Sequence, residues 1–355
     1  MDMGRRSFLK TAAMGTLTLG LGMKLKACRE TGSRSLAASL QELPEKSRIT
    51  LMRHDGAMTG EGTANGAVVQ EMVDKAILRF TGKGSVSDAW KEFVSPDDVV
   101  GIKVNALTRN NHPSTNPDLV NAIVRGLLKA GVPENNIIIW DRSWQELERA
   151  GYPLNTSDQG VRCFGTDSLG TYRGYSIPRV RSLFRFNREA HRYGKVETKF
   201  SRIFADTCSA LVNVPVLKDH RLSGITLCLK NMYGCINNPG MLHDNGCDPY
   251  IADLNALPMI RAKTRLHVGD CLRVLYQGGT SGGSGYQWNY GGILLGTDPV
   301  ALDYTGWRII EEKRRAEGMA SLEEEGRAPH YIHTAGDPLH RLGHNSPDRI
   351  VLEQI

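Results

Sequence analysis

Two rhythms of apolar and polar positions run along this chain. Short, nearly unbroken apolar runs recur as "RITLMRH" (Arg48–His54), "DDVVGIKVN" (Asp97–Asn105), "NNIIIWDRS" (Asn135–Ser143) and "CSALVNVPVLK" (Cys208–Lys218). "RLHVGD" (Arg265–Asp270) and "GGILLGTD" (Gly291–Asp298) complete the series. Runs of that length read as strands covered on both faces. Between them the period lengthens to that of a helix. Residues 65–82 place Val68, Met72, Ile77 and Phe80 at helical spacing behind an Asn cap. Residues 116–131 carry Pro at the first turn and Gly at the end. Residues 299–318 open with Pro299 and repeat Ala301, Tyr304 and Ile309. Strand, helix and strand in that order predict an α/β fold, with a mainly parallel or mixed sheet flanked by helices. Residues 151–200 break the rhythm and read as an elaboration on that sheet.

Several strands end in a polar side chain: Asn105, Asp141, Lys218, Asp270 and Asp298. Ligands of parallel α/β sheets bind outside the carboxyl ends of strands. The same residues also cap following helices, and Asp298 before Pro299 is the clearest case. The stretch "VPVLKDHRLSGITLCLKNMYG" (Val214–Gly234) is the most unusual, because it sets Lys218, His220 and Lys230 in an apolar run. Leu222, Ile225, Leu229 and Met232 recur at three- and four-residue intervals, which predicts a helix over 222–234 with Thr226 and Lys230 on a second face. The N-terminal amides of such a helix would favour an anion beside Lys218 and His220. The alternative is Lys230 extending to water from an amphipathic helix.

Length and composition bound the class. The chain has 355 residues, 40% apolar and 23% charged, enough for one sizeable globular core. Its formal net charge is +6. Residues 1–30 contribute +4 and residues 171–199 another +6, so the remainder sums to −4. A balance of that kind argues against a nucleic-acid partner.

The beginning of the chain has the look of a targeting segment. "MGRRSFLK" (Met3–Lys10) places Arg5 and Arg6 before a short apolar run, "TAAMGTLTLGLGM". That pattern resembles a twin-arginine export signal, and the run is too short for a membrane anchor. Residues 1–40 are therefore read as signal and polar leader and 41–355 as a single α/β domain. The expected destination is periplasmic or extracytoplasmic, with the twin-arginine translocase as a partner in transit. Cys28 in "LKAC" offers a lipid-attachment point and hence a membrane contact; cleavage near Ser35–Ser39 is the rival. The seven cysteines include no CxxC pair and no iron–sulfur or zinc-finger spacing, so they read as buried thiols.

The segments "VGIKVN", "ALVNVPVLKDHRLSGITLCLKNMYG", "IADLN", "HVGD" and "GTDPVALDYTG" resemble the domain-of-unknown-function 362 family over about residues 97–310. "LHRLGHNSPDRIVL" resembles its closing segment. The resemblance implies Lys103, Asn105, Lys218, His220, Thr226, Lys230, Asn231, Gly234, His243, Asp253, Asp270, Asp298 and Asp303 as the positions that matter. It implies no reaction, and the ferredoxin-like clusters of some members are missing from this sequence.

Three readings follow. The first is an enzyme for a small anionic substrate. In it His220, Lys218 and Lys230 are catalytic, and Lys103, Asn105, Thr226, Asn231 and Gly234 bind substrate. His220 acts there as general acid and base. His243, Asp253 and Asp270 are candidate ligands if a metal ion assists, and redox or carbon–oxygen chemistry is the class expected. The second is a non-catalytic periplasmic protein that binds a ligand or cofactor at the same place. The third is an accessory protein docking an acidic partner through 171–199. The glycine-rich "QGGTSGGSGYQ" (Gln277–Gln287) fits no phosphate-loop fingerprint and reads as a loop.

Overall fold

The computed structural model describes residues 43–355 apart from 61, 109–111, 170–173, 175–179, 188–191 and 280–283. The segment read as an export signal, Cys28 and the rival cleavage site expected near Ser35–Ser39 lie outside the described residues. So do most side chains of the basic segment and the middle of the glycine-rich loop.

Among the described residues, ten strands build one mixed sheet. Strands β1 (Ser47–Arg53), β2 (Val100–Val104), β3 (Ile137–Asp141) and β4 (Arg162–Gly165) come first. A separate antiparallel pair, β5 (Val180–Asn187) and β6 (Arg192–Thr198), follows from the irregular region. The sheet resumes with β7 (Ala210–Val214), β8 (Val216–His220), β9 (Gly224–Thr226), β10 (Thr264–Leu275), β11 (Gln287–Gly296) and β12 (Ile350–Gln354). The order across the sheet is β12-β1-β11-β10-β7-β2-β3-β4, with β8 against β10 and β9. From β10 through β7, β2 and β3 to β4 all neighbours are parallel, while β11 runs against both β1 and β10.

Helices cover both faces. On one lie α1 (Gly66–Thr81), α2 (Val86–Lys91) and α3 (Pro117–Lys129), packed on Ile102, Val104, Val212 and Val268. Asn65 caps α1 by accepting from Val68 N, and Gly82 closes it at φ 70°. Its buried stripe is Val69, Met72, Val73, Ala76 and Ile77, so Val68 and Phe80 lie at its margins. Asn116 caps α3, and a Cβ on Gly126 would collide with the Trp90 indole. The short α4 (Trp144–Arg149) follows β3. The opposite face holds α5 (Cys228–Asn231), α6 (Tyr250–Asn255), α7 (Pro258–Lys263), α8 (Pro299–Ala316) and α9 (His330–Ala335).

Two local expectations are corrected, and the capping role expected of Asp298 is borne out. "CSALVNVPVLK" is two strands, because Pro215 has no N–H to continue a ladder. Asp270 is mid-strand in the long β10, beside a register shift between Cys271 and Arg273. Asp298 leaves β11, which runs opposite to its neighbours, so it sits at the other edge of the sheet. There it caps α8 through Val300 N and Ala301 N, both at 2.8 Å, and binds the Ser47 hydroxyl and His344 N.

Candidate functional site

Side chains alternate along β8, so Lys218 and His220 project to one face and Leu217 and Asp219 to the other. Asp219 is held behind the strand by Arg327 Nη1 and Gly279 N, each at 2.7 Å. On the front, the antiparallel register with β9 sets Lys218 opposite Thr226 and His220 opposite Gly224. β2 enters from the side, bringing Lys103 and then Asn105. α5 lies over β7 and brings Lys230 and Asn231. One polar cluster results, formed around the carboxyl ends of β2 and β7 together with β8.

The expected helix over 222–234 is not formed. Leu222 is exposed, Gly224–Thr226 is a strand, and α5 begins only at Cys228. Its first amides are also spoken for: Cys228 N donates to Asp303 Oδ1 at 2.6 Å and Leu229 N to Oδ2 at 3.3 Å. Asp303, reaching across from α8, thus occupies the place proposed for an anion at the helix N-terminus. Burial raises its carboxyl pKa to about 7, against the pull of Tyr331 and the two amides.

The three lysines of the cluster differ in one respect. Lys103 Nζ pairs with Asp141 Oδ1 at 2.7 Å and donates to Val104 O at 2.6 Å. Lys218, 3% exposed, donates to Asn105 Oδ1 at 2.9 Å. Lys230, 7% exposed, donates to His243 Nε2 at 3.1 Å and lies 4.2 Å from the centre of the Tyr233 ring. Among the described residues neither Lys218 nor Lys230 has a carboxylate at ion-pair distance. Burial brings the Lys218 pKa down to about 8, although Asp141, Glu146 and Asp270 oppose it from farther away. Burial also lowers Lys230, with Cys247 opposing.

The imidazoles are fixed by their neighbours. His220 Nδ1 accepts from Leu222 N at 3.2 Å and Ser223 N at 3.1 Å. Burial, Lys230, His243 and Lys218 all push its pKa well below the ordinary histidine value. A neutral ring that accepts at Nδ1 carries its proton on Nε2. His220 is therefore a donor. His243 has the reverse arrangement: Nδ1 donates to Pro239 O at 2.8 Å and Nε2 accepts from Lys230. Burial and Lys230 bring its pKa to about 4.

Beneath the cluster runs a line of amides. Asn213 Nδ2 donates to His267 Nδ1 at 3.0 Å and Cys228 O at 2.9 Å. Its Oδ1 accepts from Asn231 Nδ2 at 2.7 Å, and the same nitrogen reaches Lys103 O at 3.2 Å. Asn231 Oδ1 faces Asn105 Nδ2 at 3.5 Å, and Asn105 Oδ1 holds Lys218. These contacts tie the orientation of Lys218 to the buried core. Gly234 has to be small, since a Cβ there would lie 2.5 Å from Lys103 Nζ.

The family described as Domain of unknown function (DUF362) matches residues 100–308. The chain belongs to that family. The DUF362 span takes in β2 through most of α8 and thus every side chain of the cluster described above. No curated protein matches the chain. A crystal structure of a protein from Thermotoga maritima is similar at 13% identity and a TM-score of 0.40. That match covers 62% of this chain and 52% of the other, about half its length.

The cluster joins Lys103, Asn105, Lys218, His220, Thr226, Lys230, Asn231, Gly234 and His243 from the sequence reading. It does not join Asp253 or Asp270. Asp253 Oδ1 binds His340 Nε2 at 3.0 Å. Asp270 accepts from Asn116 N at 2.7 Å and Leu272 N at 2.9 Å, fastening β10 to the start of α3. His243, Asp253 and Asp270 thus have separate partners, and among the described residues no three His, Cys, Asp or Glu side chains form a metal site. Two contributors were missed. Asn213 is the single polar residue inside "ALVNV", which was its signal. The Cys247 thiol is raised in pKa by burial, with the nearby Lys230 opposing, and nothing in its local sequence announced it.

Proposed function

We propose that this protein is an enzyme acting on a small anionic substrate held by Lys230, His220 and Lys218. The observation that carries this reading is the burial of two lysines whose ammonium groups meet no carboxylate. A buried charge without a partner is costly, and an arriving anion removes the cost. Lys230, with no carboxylate near it, takes the anionic group. His220 offers Nε2–H to a substrate oxygen, where a neutral imidazole stabilises developing negative charge. Lys218 sheds its proton within reach of neutral pH and serves as the base. This replaces the acid–base role expected of His220, because its Nδ1 is already engaged by two backbone amides.

Proton transfer next to a carboxylate or carbonyl is the class that fits: a substrate C–H bond breaks, Lys218 takes the proton, and the electron pair moves to the oxygen facing His220. Export also belongs to this proposal, supported by Arg5, Arg6 and the "SFLK" that follows.

The test is binding and exchange on the same samples. Wild type should bind malonate or phosphate by calorimetry, and Lys230→Met should lose roughly 10–100-fold, the worth of a charge-assisted hydrogen bond. Wild type should also exchange C–H protons of small oxo- or hydroxycarboxylates into D2O, followed by proton NMR, and Lys218→Met should not. Binding without exchange would make it a ligand-binding protein instead. Absence of both would end the anion reading.

A further inference from the structure

The described residues that lead from β2 toward α3 pass close to Lys218. The ends of this connection are pinned: Thr115 Oγ1 accepts from Asn105 N at 2.8 Å and donates to Val214 O at 2.7 Å. Tyr152 OH donates to Thr115 O at 2.7 Å, and Lys218 Nζ reaches Leu107 O at 3.5 Å. Within that connection His112 is only 7% exposed, and among the described residues its Nε2 has no hydrogen-bond partner.

An imidazole nitrogen shut away from water without a partner is a cost that native proteins avoid. The other unpartnered atoms include the indole nitrogens of Trp90 and Trp140, which pack against Gly126 and Gly101 inside the apolar layers. His112 is different because it belongs to the connection whose Leu107 carbonyl meets Lys218, and burial, with Lys218 adding to it, pushes its pKa below the ordinary histidine value. A neutral imidazole can face a ligand either as donor or as acceptor.

We infer that His112 is a ligand-contacting residue at the Lys218 end of the site. This rests on the anion-site reading given above. A ligand that engages both ends then needs two polar groups, one at Lys230 and His220 and one at Lys218 and His112.

The experiment uses malonate and inorganic phosphate as probes on the full chain. Calorimetry on His112→Ala should show at least a fivefold loss of malonate affinity, and His112→Gln, which offers an amide nitrogen at a similar reach, should recover part of it. In wild type, the His112 ring signals in a histidine nitrogen–proton NMR spectrum should move on malonate addition, and their titration midpoint should rise. The NMR result decides the matter if His112→Ala does not fold. Wild type that binds a probe while His112→Ala binds equally well, or while the His112 signals stay still, overturns this inference alone. Wild type that binds neither probe overturns the anion reading and this inference with it.

Discussion

Lys103 and Gly234 meet so closely that any Cβ at the glycine forces a shift: it would lie 2.5 Å from both Cε and Nζ of the lysine and 2.8 Å from Asp141 Oδ1. The lysine cannot swing away freely, because its ammonium is pinned to Asp141 and to Val104 O. Asp141 in turn receives Ala106 N at 2.9 Å and Arg142 N at 2.8 Å. Gly234→Ala should therefore destabilise the protein by about 1–3 kcal/mol, as overpacking does. Urea denaturation checks this, and an unchanged midpoint would show that the pair rearranges without penalty.

Asp303 carries three donors, from Cys228 N, Leu229 N and the Tyr331 hydroxyl at 3.0 Å. Asp303→Ala strands buried N–H groups and should cost about 2 kcal/mol or more. Asp303→Asn keeps one acceptor oxygen and should fall between alanine and wild type. Equal loss in both variants would mean that the charge, and not the cap, matters.

Lys218 sets a pH dependence with a definite sign. Its folded pKa of about 8 lies below the ordinary 10.5. Between those values the unfolded chain holds a proton that the folded chain has released, so the contribution of Lys218 to stability rises from pH 8 toward 10.5. The stability difference between wild type and Lys218→Met should move in favour of wild type over pH 7 to 10. A flat difference would remove Lys218 as a titrating group in that range. Over the same range anion affinity should fall as Lys218 loses its charge.

His340 behaves in the opposite way. Nδ1 lies 2.9 Å from Asp337 Oδ1 and Nε2 lies 3.0 Å from Asp253 Oδ1. Burial opposes its proton, but the two carboxylates prevail and raise the pKa. Its contribution is complete below about 6.5, the unfolded value, and disappears as pH climbs through the raised folded value. His340→Gln should be more damaging at pH 5.5 than at pH 8.5 in chemical denaturation. The reverse order would mean that the ring is held neutral.

Much of this architecture is legible in the sequence because periodicity survives wherever a segment packs against a layer. The strands around Ile102, Ile138 and Val212 and the helices with Asn65 and Asn116 caps fall where their patterns place them. Lys218, His220 and Lys230 can be named beforehand because lysine and histidine inside an apolar run are conspicuous, and Asn105 because it ends a strand, whereas Lys103, Asn231, Gly234 and His243 are implied by the family resemblance. The segment 222–234 misleads, because its three- and four-residue spacing comes from a short strand, Gly224 and one helical turn that bury Ile225, Leu229 and Met232 from different directions. Asp253 and Asp270 mislead for another reason. A carboxylate that fastens backbone amides or a histidine looks, in one dimension, like a ligand. His112 escapes notice because its meaning depends on Lys218, more than a hundred positions away.

The first strand of the sheet lies between partners made last. β1 pairs with β11 on one side and with β12 on the other, Ser47 facing Ile350 and Leu51 facing both Leu294 and Gln354. Contacts of such separation are slow to form, because the intervening chain must first be confined. As a ribosome delivers this chain, β1 has to wait with both edges open until β11 and β12 have emerged. The sheet can close only once β11 and β12 have been made, so a helper that shields "RITLMRH" during that wait would act on folding yield without touching the finished protein.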